Sequence, residues 1–195
     1  EIDVIVGTQL VTKGFHFPEL TLVGVVDADL GLEGGDLRAG ERTYQQVAQV
    51  AGRAGRGSKP GEVLIQTRHP EAPVIAALAA GDRDAFYSAE TEMRREAGAP
   101  PFGRWASIII SSEDDGEARE AANRLGAFRP DVADCMILGP APAPMALLRG
   151  RYRYRFLINA RRSVQLQHVI RRWLTQVDHP AGVRLAVDID PYSFV

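Results

Sequence analysis

The 195-residue sequence has one cysteine, Cys135, and only two lysines, Lys13 and Lys59. A single cysteine excludes an internal disulfide framework and any multi-cysteine zinc site. Long hydrophobic runs are missing too. Val74–Ala80 is apolar throughout, and Leu22–Val26 and Ala106–Ile110, the latter interrupted by Ser107, are shorter still. All fall far short of the ~20 apolar residues that cross a bilayer. No basic segment followed by an apolar stretch stands at the start, so no secretory signal is expected. A soluble, cytoplasmic chain is the expectation. Aromatic residues are sparse at 7%, but 45% apolar and 25% charged residues make an ordinary globular balance. That balance excludes disordered, collagen-like and low-complexity classes. The length allows one or two domains of about 100 residues.

Acidic residues are also absent from one long stretch. None occurs between Cys135 and Val177, where eight arginines do: Arg149, Arg151, Arg153, Arg155, Arg161, Arg162, Arg171 and Arg172. The overall net charge of -2 conceals this concentration. Such a stretch is the footprint of a surface that meets phosphates or an acidic peptide.

Strand and helix patterns alternate along the first half. Ile2–Val6, Leu20–Val26 and Glu62–Gln66 read as strands. Between the last two, Tyr44, Val47, Ala48 and Ala51 recur at helical spacing over about 38–52. Short, nearly all-apolar strands interleaved with helices predict a parallel sheet covered on both faces. A helical stretch over 73–97, broken near Gly81-Asp82, leads to the linker Gly98–Gly103, whose prolines cannot continue a helix. The second half reads strand 105–111, helix 114–128, strand 135–138, strand 152–160, helix 163–177, strand 183–189. A run of alternating prolines, Pro140, Pro142 and Pro144, follows the second of these strands. The order β-α-β-β-α-β is the split βαβ, or ferredoxin-like, arrangement.

The most specific segment is Gln49-Val-Ala-Gly-Arg-Ala-Gly-Arg56. Its glycines let a ligand approach the backbone, and the planar guanidiniums of Arg53 and Arg56 match phosphate oxygens. Arginines placed this way can stabilise charge developing on a transferring γ-phosphoryl group. A solvent-exposed basic helix end is the alternative. A second segment, Gly7-Thr-Gln-Leu-Val-Thr-Lys-Gly14, follows a strand pattern, where α/β sheets present their ligands. Read alone, it is also compatible with a simple strand-to-helix turn capped by Thr8.

In this order, about 40 residues apart, the two segments resemble motifs V and VI of superfamily-two helicases. The likeness narrows with Leu22–Gly31, Glu41-Arg-Thr43, Pro60–Thr67, Pro100-Pro101-Phe102 and Asp188–Val195. Together they are similar to the primosomal replication-restart DNA helicases, the PriA or primosomal protein N′ family. The resemblance implies that Arg53 and Arg56 are arginine fingers reaching ATP. It implies that Gln49 and Gly14 lie by the nucleotide, and that Thr8, Gln9 and Lys13 contact the DNA strand. His16 departs from the superfamily, standing where many members carry an Asp that contacts the ribose. No Gly-x-x-x-x-Gly-Lys-Ser/Thr loop occurs in the chain. An Asp-Glu magnesium box is likewise missing, and the acidic pair Asp27/Asp29 reads as part of the lobe after motif V. The family's zinc-binding cysteines would precede Glu1, so Zn²⁺ is expected upstream and none within. The resemblance thus implies the C-terminal portion of an ATP- and Mg²⁺-dependent 3′-to-5′ helicase. That enzyme acts in replication restart and primosome assembly at stalled forks, and this portion alone is not catalytic. A module lacking ATPase activity that recruits replication partners to DNA is the alternative.

In the C-terminal half, Arg149, Arg151, Arg153 and Arg155 alternate with Gly150, Tyr152, Tyr154 and Phe156. Period-two alternation puts the arginines on one strand face and the aromatics on the other. Arg151, Arg153 and Arg155 are therefore expected on an exposed face, as nucleic-acid contacts or as a merely solvated surface. The family's C-terminal domain is associated with single-stranded DNA and with the acidic tail of single-stranded-DNA-binding protein. Both are anionic, and charge does not choose between them. Trp105 and Trp173 are expected in the core, and Cys135 is expected to be inert. His69, His168 and His179 receive no role. The expected fold is α/β: a partial RecA-like helicase lobe over 1–98, with a parallel sheet and helices, then a ferredoxin-like βαββαβ domain over 99–195. The expected partners are single-stranded and forked DNA, single-stranded-DNA-binding protein, and the primosome and replicative-helicase loading proteins. No membrane is among them.

Overall fold

The apolar runs on either side of the Gln49–Arg56 segment pair with each other. β1 (Leu22–Val25) and β2 (Glu62–Ile65) form a two-stranded parallel sheet, with Val23 opposite Val63 and Val25 opposite Ile65. The computed structural model describes residues 3–7, 19–32, 38–55 and 59–191. It is a mixed α/β protein, with one parallel and one antiparallel sheet. The chain divides into two units, residues 1–90 and 91–195.

In the first unit, β1 leads through a 3-10 turn at Ala28–Gly31 towards α1 (Ala39–Ala51). β2 leads to α2 (Pro73–Ala80), and then α3 (Arg83–Glu96) begins. Pro73 opens α2, where its missing N–H costs nothing. Gly81, at φ 66°, closes it at the expected break. Ala28, Val74, Ile75, Ala77 and Phe86 form the core, with Val25, Ile65 and Tyr44 packed against it. The Tyr44 ring stacks on Phe86 at 4.3 Å between centroids.

Two expectations for this unit need correction. Val4–Val6 form no strand; Val4 and Val6 are 76% and 92% exposed. A β-branched run becomes a strand only where a neighbour takes its hydrogen bonds, and no described strand pairs with it. The parallel sheet is also covered on one face only among the described residues. Val23, Val25, Val63 and Ile65 are buried or half-buried, whereas Leu22, Gly24, Glu62 and Leu64 on the other face are exposed.

The second unit runs β3 (Gly103–Ser112), α4 (Asp115–Ala127), β4 (Cys135–Leu148), β5 (Arg151–Arg161), α5 (Leu166–Leu174), β6 (Arg184–Ile189). Its four strands lie in the order β4-β5-β3-β6, every pair antiparallel. The even-numbered residues of β3 and β5 turn one face inward. Ala106, Ile108, Ile110, Phe156, Ile158 and Ala160 pack against Ala121, Ala122 and Leu125 of α4 and Leu166, Ile170 and Trp173 of α5. Burying one such large side chain contributes about 1.5–3 kcal/mol. Trp173 meets Phe156 edge-on at 5.0 Å, and its indole N–H donates to Leu125 O at 2.9 Å. Trp173 and Trp105 are both core residues, as expected. Asp114 caps α4 by accepting from the Glu117 N–H at 2.7 Å.

β4 starts at Cys135 as expected, runs through the proline-punctuated segment and reaches Leu148. It lies at the sheet edge, where a missing N–H breaks no ladder. It keeps pairing at Ala141–Arg155 and Pro142–Tyr154 through two register shifts. α5 is shorter than the expected 163–177. Tight turns from Val164 N to Arg161 O and from Leu166 N to Val164 O precede it. Thr175 caps its other end, five residues before Pro180.

Candidate functional site

Sequence reasoning singled out ten positions in two groups, one in each unit. In the first, α1 forms because Thr43 and Val47 bury one face while Gln45 and Gln49 lie exposed. Gln49 lies exposed on its last turn. The helix then closes in successive turns: Gly52 N donates to Ala48 O at 3.0 Å, and Arg53 N to Val50 O at 2.9 Å. Arg53 is half-buried in this closing turn. One residue later but one, Gly55 N donates to Leu20 O at 3.0 Å, tying the turn to the chain just before β1. Gln49 is on the last turn of α1, and Arg53 stands two residues beyond its end. Thr8, Gln9, Lys13, Gly14, His16 and Arg56 lie outside the described residues.

The opposite end of the parallel sheet holds a residue to which sequence reasoning gave no separate role. Asp29 is only 1% exposed. Its carboxylate accepts from Thr67 Oγ1 at 2.5 Å and from the Arg68 N–H at 2.7 Å, with the Arg68 Nε at 3.5 Å. These bonds, the Thr67 hydroxyl first, hold its pKa below the ordinary carboxylate value. Ala28 N also donates to Gln66 O at 2.9 Å. The carboxylate therefore latches the loop after β1 to the loop after β2. The signal was present, since Asp29 and Thr67-Arg68 each follow a strand that the sequence marks. That the two strands are neighbours is what it did not give.

In the second unit, β5 alternates as expected. Tyr154 and Phe156 join the helix-covered core, so Arg151, Arg153 and Arg155 belong to the other face. The expectation of an exposed Arg151 is overturned, because its side chain is only 15% exposed. The guanidinium donates to Ser111 O at 3.0 Å and Gly182 O at 2.7 Å, and it pairs with Glu113 at 3.1 Å. Backbone carbonyls at the ends of neighbouring strands converge there, and only a fork of donors meets them all. Arg153 is half-buried, its guanidinium 3.5 Å from Pro144 O and Met145 O. Arg155 is half-buried as well.

Further along the same face, Ala99 packs on Trp105 and Leu157, and Asn159 donates to Ala97 O at 3.0 Å. Segment 97–102 thus covers one end of the face. Asp190 secures that end: it accepts from the Trp105 N–H at 3.0 Å and pairs with Arg104 at 2.8 Å. Burial lowers the pKa of His179, and both of its ring nitrogens are buried without a hydrogen-bond partner. Burial raises the thiol pKa of Cys135, so little reactive thiolate forms. No cluster of three or more metal-ligating side chains occurs among the described residues. No described helix is long and apolar enough to cross a membrane.

The geometry in hand is a helix-closing turn bearing Gln49 and Arg53, and a separate β-α-β-β-α-β unit with arginines on one sheet face. In sequence, the chain is similar to known proteins over its length. Over 194 residues the chain is 46% identical to the Replication restart protein PriA of Rickettsia conorii, covering 100% of this chain and 30% of that protein. The Treponema pallidum protein of the same name is 41% identical over 197 residues, covering 99% of this chain and 30% of its own length. The Bacillus subtilis one is 37% identical over 198 residues, covering 99% and 25%. The chain therefore spans under a third of the length of these relatives. The family described as Primosomal protein N C-terminal domain matches residues 95–192. That match takes in the whole antiparallel sheet with both of its helices, and the chain belongs to the family of the primosomal protein N C-terminal domain.

Proposed function

We propose that this chain is the C-terminal part of an ATP-dependent 3′-to-5′ DNA helicase that acts in replication restart and primosome assembly at stalled forks. The observation that carries the reading is Arg53, half-buried in the turn that closes α1 and anchored through Gly55 to the chain before β1. Residues 1–98 are read as part of a RecA-like lobe, which the parallel pairing of β1 and β2 with intervening α1 supports. Residues 99–195 are read as a ferredoxin-like domain, supported by the element order and the strand order β4-β5-β3-β6.

Arg53 and Gln49 have the chemistry to meet a nucleotide. A guanidinium is permanently charged and offers a donor fork to phosphate oxygens. The chain contains no phosphate loop, so these residues would approach ATP from one side, opposite the part of the longer protein that cradles the phosphates. Mg²⁺, when bound with ATP, would supply neutralising positive charge to the phosphates. Arg53 would donate to γ-phosphoryl oxygens, where charge develops in the transition state. Arg56 is assigned the same task, and Gly14 a place beside the nucleotide. Thr8, Gln9 and Lys13 are assigned to the DNA strand. Arg153 and Arg155 are assigned to an anionic partner of the second unit, either single-stranded DNA or the acidic tail of single-stranded-DNA-binding protein. Fork DNA, primosome proteins and the replicative-helicase loader are the other partners, in the cytoplasm. Zn²⁺ belongs to residues upstream.

The test is steady-state ATP turnover by the longer protein on single-stranded DNA. Arg53→Ala should lower kcat by ~10³-fold, while DNA affinity stays within about twofold of wild type, since Arg53 is assigned to the nucleotide. This chain alone should turn over no ATP. Undiminished kcat in Arg53→Ala would remove Arg53 from the chemistry. A longer protein with no ATPase activity would favour a recruiting scaffold instead.

A further inference from the structure

The turn that carries Arg53 touches the start of β2 more closely than any side chain allows. Gly55 stands at φ +69°, and a Cβ placed there would sit 2.7 Å from Gly61 N. A Cβ on Gly61 would sit 2.5 Å from the carbonyl carbon of Ala54 and 2.7 Å from the Ala54 Cβ, and it would also meet Gly55 N. These are mostly backbone atoms on both sides, so relief requires one segment to move. Gly61 N–Cα–C leads directly into Glu62, whose N–H donates to Thr21 O at 2.8 Å, while Gly55 N donates to Leu20 O at 3.0 Å. Consecutive carbonyls before β1 thus hold both segments side by side. β2 is fixed by its register with β1. The turn has no such ladder, so a Cβ at Gly61 displaces the turn, and Arg53 moves with it.

We infer that Gly61 is a positioning residue: its bare Cα lets the Arg53 turn close onto the start of β2 and sets where the guanidinium points. The inference rests on the reading of Arg53 as the group that meets the transferring phosphoryl. Gly61 lies outside the segment that carries the arginines, six residues beyond Gly55. Its effect is steric. A misplacement of about 1 Å in a catalytic group can lower a rate ~10²-fold.

The test compares Gly61→Ala, Gly31→Ala and Arg53→Ala in the longer protein. Gly31 lies before α1, at its opposite end. A Cβ there would meet first the Thr43 side chain, with Oγ1 nearest at 2.5 Å. It controls for general destabilisation of the same unit. Gly61→Ala should lower kcat by ~10²-fold with KM for ATP changed less than about threefold. Gly31→Ala should retain kcat even where its Tm falls. Because Gly61 acts through Arg53, Gly61→Ala combined with Arg53→Ala should be no slower than Arg53→Ala alone. A readout independent of turnover is amide hydrogen exchange: Gly55 N–H should exchange faster in Gly61→Ala and unchanged in Gly31→Ala. If Gly61→Ala does not fold, Gly55→Asn probes the same contact from the other side with a residue that accepts positive φ. It should give the same loss of kcat.

Turnover unaffected by Arg53→Ala overturns the reading of the site and this inference with it. If Arg53→Ala is impaired, three results overturn the inference alone. One is normal kcat in Gly61→Ala, another is a multiplied loss in the double variant, and the third is unchanged exchange at Gly55.

Discussion

Replacing Arg151 by alanine should lower the stability of the second unit rather than remove a contact to a binding partner. The side chain is 15% exposed and spans three elements, reaching Ser111 on β3, Gly182 before β6, and Glu113. Hydrogen bonds from a charged donor are worth about 1.5–3 kcal/mol, and the bond to Ser111 O, partly buried at 3.0 Å, falls in that class. The bond to Gly182 O is exposed, and its lost carbonyl partner is replaced by water, leaving roughly 0.5–1 kcal/mol. The Glu113 side chain is 81% exposed, so the ion pair adds no more than about 0.5 kcal/mol. The expected loss is therefore ~2–4 kcal/mol. For a unit of this size each kcal/mol moves Tm by about 4–8 °C, so the midpoint should fall on the order of 10 °C or more. Both tryptophans, Trp105 and Trp173, lie in this unit, so fluorescence-detected melting reports on it alone. Arg151→Lys should recover only part of the loss, because an ammonium has no fork. Arg162→Ala, an exposed arginine, should stay within ~0.5 kcal/mol of wild type. An Arg151→Ala midpoint within about 2 °C of wild type would refute the account, since even one of these bonds should shift it further.

Arg153→Gln/Arg155→Gln should weaken single-stranded DNA binding and flatten log affinity against log salt by ~1.4 units, since each lost phosphate contact on a single strand removes about 0.7. Fluorescence-anisotropy titrations at several salt concentrations check this, and an unchanged slope would assign the pair to packing or to a peptide. Asp29→Asn should destabilise the first unit most at neutral pH. The folded-state pKa of Asp29 lies below its ordinary 3.8, so its contribution is complete above that value and is lost as pH falls through the depressed pKa. Circular-dichroism melts should show the gap in Tm between wild type and Asp29→Asn narrowing below about pH 4. A gap independent of pH would mean that the carboxylate charge contributes nothing.

Much of this protein was legible in its sequence because the relevant physics is local. Period-two alternation in Tyr152–Ala160 and the 3.6-residue period in Tyr44–Ala51 depend on which face of an element meets water, and neighbours in sequence carry that information. The break at Gly81, the helix start at Asp114 and the buried tryptophans follow for the same reason. What the sequence left open depended on which segments became neighbours. Val4–Val6 has the composition of a strand, yet no described strand pairs with it. How far β4 runs through its prolines was set by its edge position, where a missing N–H breaks no ladder. Arg151 had the alternation of an exposed face, and the convergence of Ser111, Glu113 and Gly182 around it turned it into a structural clasp. Asp29 meets Thr67 and Arg68 nearly forty residues away, and Gly61 matters only because the Arg53 turn folds onto it. Close approach between distant backbones is set by the sheet register and helix packing, which is why only the tertiary structure decided those roles.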